Sequence, residues 1–122
     1  MTETDFKAIN AAPALIRLLN LIAALRELSP FRTISADEDE LLRELIVRWH
    51  KGEELKVGDV IKNVSGVSHT TAYRRLVALR DKGFIEMVDH PSDGRIKFVR
   101  PGRLAQEYTE ELGFVVANFV SE

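Results

Sequence analysis

The segment from Val57 to Arg100 admits few folds. Val57 to Val64 reads as a short helix with Val60, Ile61 and Val64 turned inward, although Lys56 or Val57 is a poor helix cap. Ser65-Gly66-Val67 follows as a tight turn, where glycine allows positive φ and Val67 plugs the angle between two helices. Ser68 is a good N-cap for a second helix over 68–82, and Gly83 stops it. Two strand-like runs, Phe84 to His90 and Arg95 to Arg100, are then broken by Pro91-Ser92-Asp93-Gly94, which is strong turn chemistry.

Short helix, tight turn, second helix, glycine stop and β-hairpin in that order predict a mainly α (α+β) fold, a winged helix-turn-helix with a small β-hairpin wing. The core of this unit spans about 36–100 in a single domain over 1–122. Upstream, Ser35 and Glu38 have capping-box spacing, and Asp37 to Glu40 set negative charge at a helix's positive end. That acidic run reads as a cap with a solvated face rather than a metal cluster. Leu41, Leu42, Leu45, Ile46 and Trp49 make one apolar stripe, and the helix should run to about Lys51 with Gly52 as its C-cap. Leu55-Lys56-Val57 can add a short edge strand to the wing sheet.

Two flanking helices, about 5–28 and 101–120, carry more apolar surface than this core needs. In the first, Leu15, Ile16, Leu18, Leu19, Leu21, Ile22, Leu25 and Leu28 occupy nearly every side, with Pro13 near the helix start or at a kink and Ser29-Pro30 at the end. A helix apolar all round must be covered all round, by a partner subunit or by a thick monomer core. In the last, opened by Pro101, Leu104, Tyr108, Leu112, Val115 and Phe119 recur at coiled-coil-like spacing, and Phe114, Val116 and Val120 widen the face. Both helices are expected to dimerise the chain.

Charge is unevenly placed. Residues 1–67 carry 9 Lys/Arg against 11 Asp/Glu, a balance of −2; residues 68–103 carry 8 against 4, or +4; residues 104–122 carry none against 4, or −4. The positive excess lies in the second helix and hairpin, where local sign can steer a polyanion. The sequence has no cysteine, which excludes disulfide frameworks, zinc ribbons and thiolate metal sites. The first residues are acidic where a secretory signal would be basic, and the apolar run Ala11 to Leu25 is too short and too polar to span a bilayer. The expectation is a cytoplasmic protein without membrane contact.

On the 68–82 helix, a rotation of about 100° per residue puts Ala72, Leu76 and Leu79 on the core side. Thr70, Arg74 and Val77 fall opposite, flanked by Tyr73 and Ala78. In helix-turn-helix docking the N-terminal part of the second helix enters the major groove of double-stranded DNA. Ser68, His69, Thr70, Tyr73 and Arg74 are therefore candidate DNA contacts, with Arg74 suited to bond the two acceptors of guanine. Thr71 and Arg75 sit nearer the core edge, where phosphate contact or internal pairing suits them. Arg95 and Lys97 leave the wing tip, 91–95, beside a minor groove that attracts arginine, and Asp93 can hold Arg95 in position.

The same residues bear on other functional classes. His50, His69 and His90 form no nucleophile–base–orienter set, so an enzyme is not expected, and no cofactor is implied. A metal sensor on Asp89, His90 and Asp93 has unspecific spacing. A winged helix used for protein–protein interaction without DNA binding is the main alternative, since fold does not fix function. Arginines on both the second helix and the wing favour DNA.

The pattern Ser68-x-x-Thr71-x-x-Arg74-x-Leu76-x-x-Leu79-x-x-x-Gly83-Phe84-Ile85, followed by Asp93-Gly94-Arg95, resembles the multiple-antibiotic-resistance regulator (MarR) family of winged-helix proteins. The resemblance covers about Leu55 to Leu104. It implies a homodimer held by terminal helices, a palindromic operator, and often repression relieved by a small phenolic or other anionic effector. It assigns Arg74 to the recognition helix and Arg95 to the wing. Two departures stand out: one helix follows the wing where members often have two, and Arg75 replaces a usual apolar residue.

Overall fold

The computed structural model describes residues 3–28 and 30–121, with side chains over 12–28 and 30–118. In chain order the elements are α1 (Glu3–Arg26), α2 (Ala36–His50), β1 (Leu55–Lys56), α3 (Val57–Asn63), α4 (His69–Asp81), β2 (Ile85–Asp89), β3 (Lys97–Pro101) and α5 (Arg103–Ser121). They gather into two compact units, residues 33–109 and residues 1–32 with 110–122.

The first unit has the predicted element order. Ser35 Oγ accepts from the Glu38 amide at 3.2 Å, and Glu38 Oε1 accepts from the Ser35 amide at 3.3 Å, closing the capping box of α2. Lys51 caps the far end, and Gly52, expected as the cap itself, takes the next position with φ of 82°. At α3 the Lys56 cap makes no side-chain bond, as a lysine there predicts. Of its three inward residues Val60 is buried, while Ile61 and Val64 are half-buried. Gly66 has a φ of 81° in the turn and Gly83 one of 87° after α4, both in the region that only glycine adopts without strain.

The three strands form one antiparallel sheet in the order β1-β3-β2, with Leu55 opposite Val99, Asp89 opposite Lys97 and Ile85 opposite Pro101. Leu42 and Leu45 of α2, Leu76 and Leu79 of α4, Phe84 and Val99 are the largest fully buried side chains. Burying a leucine or phenylalanine contributes roughly 1.5–3 kcal/mol each, so this cluster holds the helix-turn-helix to the sheet. Trp49 adds a directed link, its indole N–H donating to the Val99 carbonyl at 3.0 Å. The Lys82 ammonium donates to the Thr33 carbonyl at 2.6 Å and also to Glu38, tying the end of α4 to the start of α2.

Three expectations need correction. Pro101 does not open the last helix: it ends β3, and α5 starts at Arg103. Gly102 sets the turn between them, donating its N–H to the Phe84 carbonyl at 2.9 Å; a Cβ at Gly102 would lie 2.6 Å from the Gly83 oxygen. Second, the acidic run is not wholly solvated. Asp39 is only 4% exposed, accepts from the Tyr108 hydroxyl at 2.7 Å and pairs with Arg43 at 3.4 Å. Third, Tyr108, read as part of a dimer seam, is buried with Ala105 in the chain's own core.

In the second unit α1 runs over Glu3–Arg26 where about 5–28 was expected, starting and ending slightly earlier, and Pro13 lies inside the helix, beyond its first turn. Leu15, Ile16 and Leu19 are each more than half exposed, and Leu21 and Leu28 are also exposed. Leu18, Ile22 and Leu25 are half-buried. In the distal part of α5, Leu112 and Val115 are half-buried, Val116 is exposed and Phe114 is 71% exposed. The side chains of Phe119 and Val120, and Ser29, lie outside the described residues. No helix among the described residues is long and apolar enough to cross a membrane.

Candidate nucleic-acid interface

Helix α4 presents two faces. Ala72, Leu76 and Leu79 are fully buried, as their spacing predicts. His69, Thr70, Tyr73 and Arg74 are exposed on its first two turns, while Val77 and Ala78 are half-buried. Ser68 Oγ accepts from the Thr71 amide at 3.1 Å and donates to Thr71 Oγ1 at 3.0 Å. Those two hydroxyls thus start the helix, and their side chains are partly committed to it. Arg75 Nη2 lies 3.4 Å from Asp37 Oδ2, so this arginine is paired internally with α2.

The wing turn is closed by its own backbone and side chains. His90 N donates to the Ile96 carbonyl at 2.9 Å and Ile96 N to the Asp93 carbonyl at 3.0 Å. His90 Nδ1 accepts from the Ser92 amide at 3.0 Å, and its ring is tilted against Phe98. Asp93 Oδ1 accepts from the Arg95 amide at 3.1 Å and from Arg95 Nε at 3.0 Å, while Oδ2 accepts from Nη2 at 3.2 Å. The guanidinium of Arg95, and then its amide, lower the Asp93 pKa below the ordinary 3.8 against a small opposing desolvation. The Arg95 side chain is nonetheless 91% exposed. The arginine is therefore oriented by one carboxylate and open to an outside partner.

Lys97 Nζ lies 3.7 Å from Asp89 Oδ1, with both groups largely in solvent. Arg100 bonds Glu54 at 2.8 Å and stacks over the Phe98 ring. Among the described residues no group of three or more His, Cys, Asp or Glu side chains is placed to hold a metal ion. Asp93 and His90 of the weighed metal set are engaged within the wing instead.

The geometry also brings in residues that the sequence did not single out. A cleft of about 280 Å³ opens between the β1–α3 junction and the base of the wing, with Lys56, Gly58 and Asp59 on one side and Arg95 and Lys97 on the other. Only the expected β1 edge strand hinted that Lys56 would lie beside the wing. A second cavity of about 320 Å³ lies beside the turn, lined by Asp37, Glu40, Glu44, Ser65 and Arg75 among others.

No family model matches the sequence, and no curated protein does. Solved structures do match. A transcriptional regulator from Thermotoga maritima superposes with a TM-score of 0.63 at 18% identity, covering 98% of this chain and 78% of that one. FabT from Streptococcus pneumoniae, solved in complex with DNA, gives 0.60 at 22% identity over 95% of this chain and 79% of its own. A MarR mutant from E. coli gives 0.55 at 17% identity over 96% and 77%. At these identities the likeness speaks for the fold, and it extends through the terminal helices as well as the helix-turn-helix and wing. The chain has the mostly helical, three-stranded winged-helix fold of the MarR-like transcriptional regulators.

Proposed function

We propose that this chain is a sequence-specific double-stranded DNA-binding transcriptional regulator, acting as a homodimeric repressor. The observation that carries the reading is a pair of exposed arginines on different elements. Arg74 lies on the outward face of α4, and Arg95 is held at the wing tip by Asp93. One would read base edges in the major groove and the other would enter the neighbouring minor groove. His69, Thr70 and Tyr73 share the exposed face with Arg74; Ser68 and Thr71 start the helix behind them, and Lys97 adds charge at the wing. Arg75 acts through its pairing with Asp37 rather than as a base contact. FabT, which shares the fold, was solved in complex with DNA, and this supports DNA as the partner.

The exposed leucines of α1 and the exposed Phe114 of α5 supply the apolar surface for a second copy. Two copies would place two recognition helices about one helical turn of DNA apart, on a palindromic site. The PcaV transcriptional regulator from Streptomyces coelicolor, 20% identical with a TM-score of 0.52, was solved with its natural ligand, which supports an effector here as well. Screening phenolic anions by thermal shift checks that part.

The decisive experiment selects fragments of genomic DNA on the purified chain and then measures binding to a recovered duplex across a salt series. Arg74→Ala should erase preference for the recovered site, costing about 1–3 kcal/mol of discrimination. Arg95→Ala should weaken binding and flatten its salt dependence. Retained selectivity and an intact salt slope in the double variant would refute the assignment. Sedimentation of a folded monomer at micromolar concentration would refute the dimer.

A further inference from the structure

We propose that the cleft between the β1–α3 junction and the wing seats a phosphodiester of the DNA backbone, with Lys56 and Lys97 as its charged donors and Gly58 as an open part of its wall. The inference rests on the DNA-binding reading and assigns a separate, sequence-independent role to residues off the recognition helix. Three cations, Lys56, Arg95 and Lys97, line the cleft against one carboxylate, Asp59. Arg95, oriented by Asp93, is the one assigned to the minor groove, which leaves Lys56 and Lys97 as the cations for the cleft. Lys56 makes no ion pair with any described residue. Lys97 pairs only loosely with Asp89, at 3.7 Å between two exposed groups, a contact that a phosphate can replace at little cost. Both lysines line the same cleft, Lys56 from the end of β1 and Lys97 from the start of β3.

Gly58 is the second, independent sign. It sits in the first turn of α3, its φ is not in the left-handed region, and an added Cβ would meet nothing within 4 Å. Neither backbone conformation nor packing within the chain calls for glycine there. In a helix glycine is less favourable than alanine by about 1 kcal/mol. The missing side chain leaves that wall of the cleft open to something outside the chain. Phosphate contacts set the register of a protein on duplex DNA, and the first helix of a helix-turn-helix crosses the backbone. A cationic cleft beside that helix and next to the wing fits this task.

The test uses the full chain and two duplexes, one recovered by genomic selection and one with the same bases scrambled, each titrated between about 50 and 200 mM salt. For Lys56→Ala the slope of log affinity against log salt should flatten by about 0.9, so its deficit shrinks about threefold across that range. The deficit should be equal on both duplexes, and Lys56→Arg should restore the slope. Gly58→Ala should raise the melting temperature while weakening binding to both duplexes, opposite signs that a purely structural glycine would not give. If both variants bind like the parent while Arg74→Ala still loses selectivity, the cleft assignment falls and the regulator reading stands. A Lys56→Ala deficit confined to the selected duplex also overturns it, because that marks base reading. If the parent chain binds neither duplex, both readings fall.

Discussion

Replacing Tyr108 by phenylalanine isolates one hydrogen bond at the centre of the winged-helix unit. The hydroxyl donates to Asp39 Oδ1 at 2.7 Å, with Asp39 only 4% and Tyr108 only 7% exposed, so water has little access to replace it. Phenylalanine keeps the ring, so no sizeable cavity term enters. A bond to a charged acceptor typically stabilises by about 1.5–3 kcal/mol, and the shielding here argues for the upper half of that range. For a domain of this length that corresponds to a fall in melting temperature of roughly 5–15 °C. Urea denaturation at pH 7, followed by far-ultraviolet circular dichroism, measures it. Protein concentration is held fixed because association would shift the midpoint. Asp39→Asn and the double variant complete a cycle, in which a coupling of about 1 kcal/mol or more is expected. A Tyr108→Phe variant within about 0.5 kcal/mol of the parent, or an additive double variant, refutes the reasoning.

Gly102→Ala should destabilise by about 2–3 kcal/mol or prevent folding, because its Cβ would meet the Gly83 oxygen at 2.6 Å and the Phe84 carbonyl carbon at 3.0 Å, both backbone; thermal denaturation reads this. The Asp93 carboxyl should titrate below 3.8 by carbon NMR, and Arg95→Ala should return it towards that value. Because the folded pKa is depressed, the clamp's contribution is present above the unfolded value and is lost only as pH falls through the folded one. Leu19→Asp should convert a dimer to a monomer in sedimentation velocity while keeping the helical signal, since Leu19 is exposed in the single chain. Trp49→Phe should cost about 1–2 kcal/mol in urea denaturation through loss of its 3.0 Å bond to Val99.

Features governed by neighbours in sequence were legible before the fold was seen. The Ser35–Glu38 capping box, the Ser68 cap, the buried side of α4 and the Asp93–Arg95 bond all join residues within a few positions, where local geometry decides the partner. Asp39 was hidden for the opposite reason. Three acidic neighbours share its position at a helix start, and the partner that buries it is 69 residues away. Tyr108 was visible as an apolar stripe, but a stripe does not say what covers it, so a core residue read as a seam. The same limit applies to Lys56: a lysine on a two-residue strand acquires meaning only when the β3 register sets it beside the wing. At Pro101, helix-opening chemistry lost to the last rung of the sheet.

The order β1-β3-β2 has a consequence for how the helix-turn-helix opens. β1 precedes α3 directly and β2 follows α4, and both are zipped onto the same central strand. Every residue from Val57 to Phe84 therefore lies in a loop closed at its base by β3. Releasing either edge strand frees one end of that loop and returns closure entropy to the chain. The weaker edge is β1, with two residues in its ladder against five for β2. Amide hydrogen exchange should thus show α3 and the turn opening together with Leu55 and Lys56, at a lower free energy than α4 and β2. The half of the helix-turn-helix nearest the Lys56 cleft would be the pliable half, and the half carrying Arg74 the rigid one.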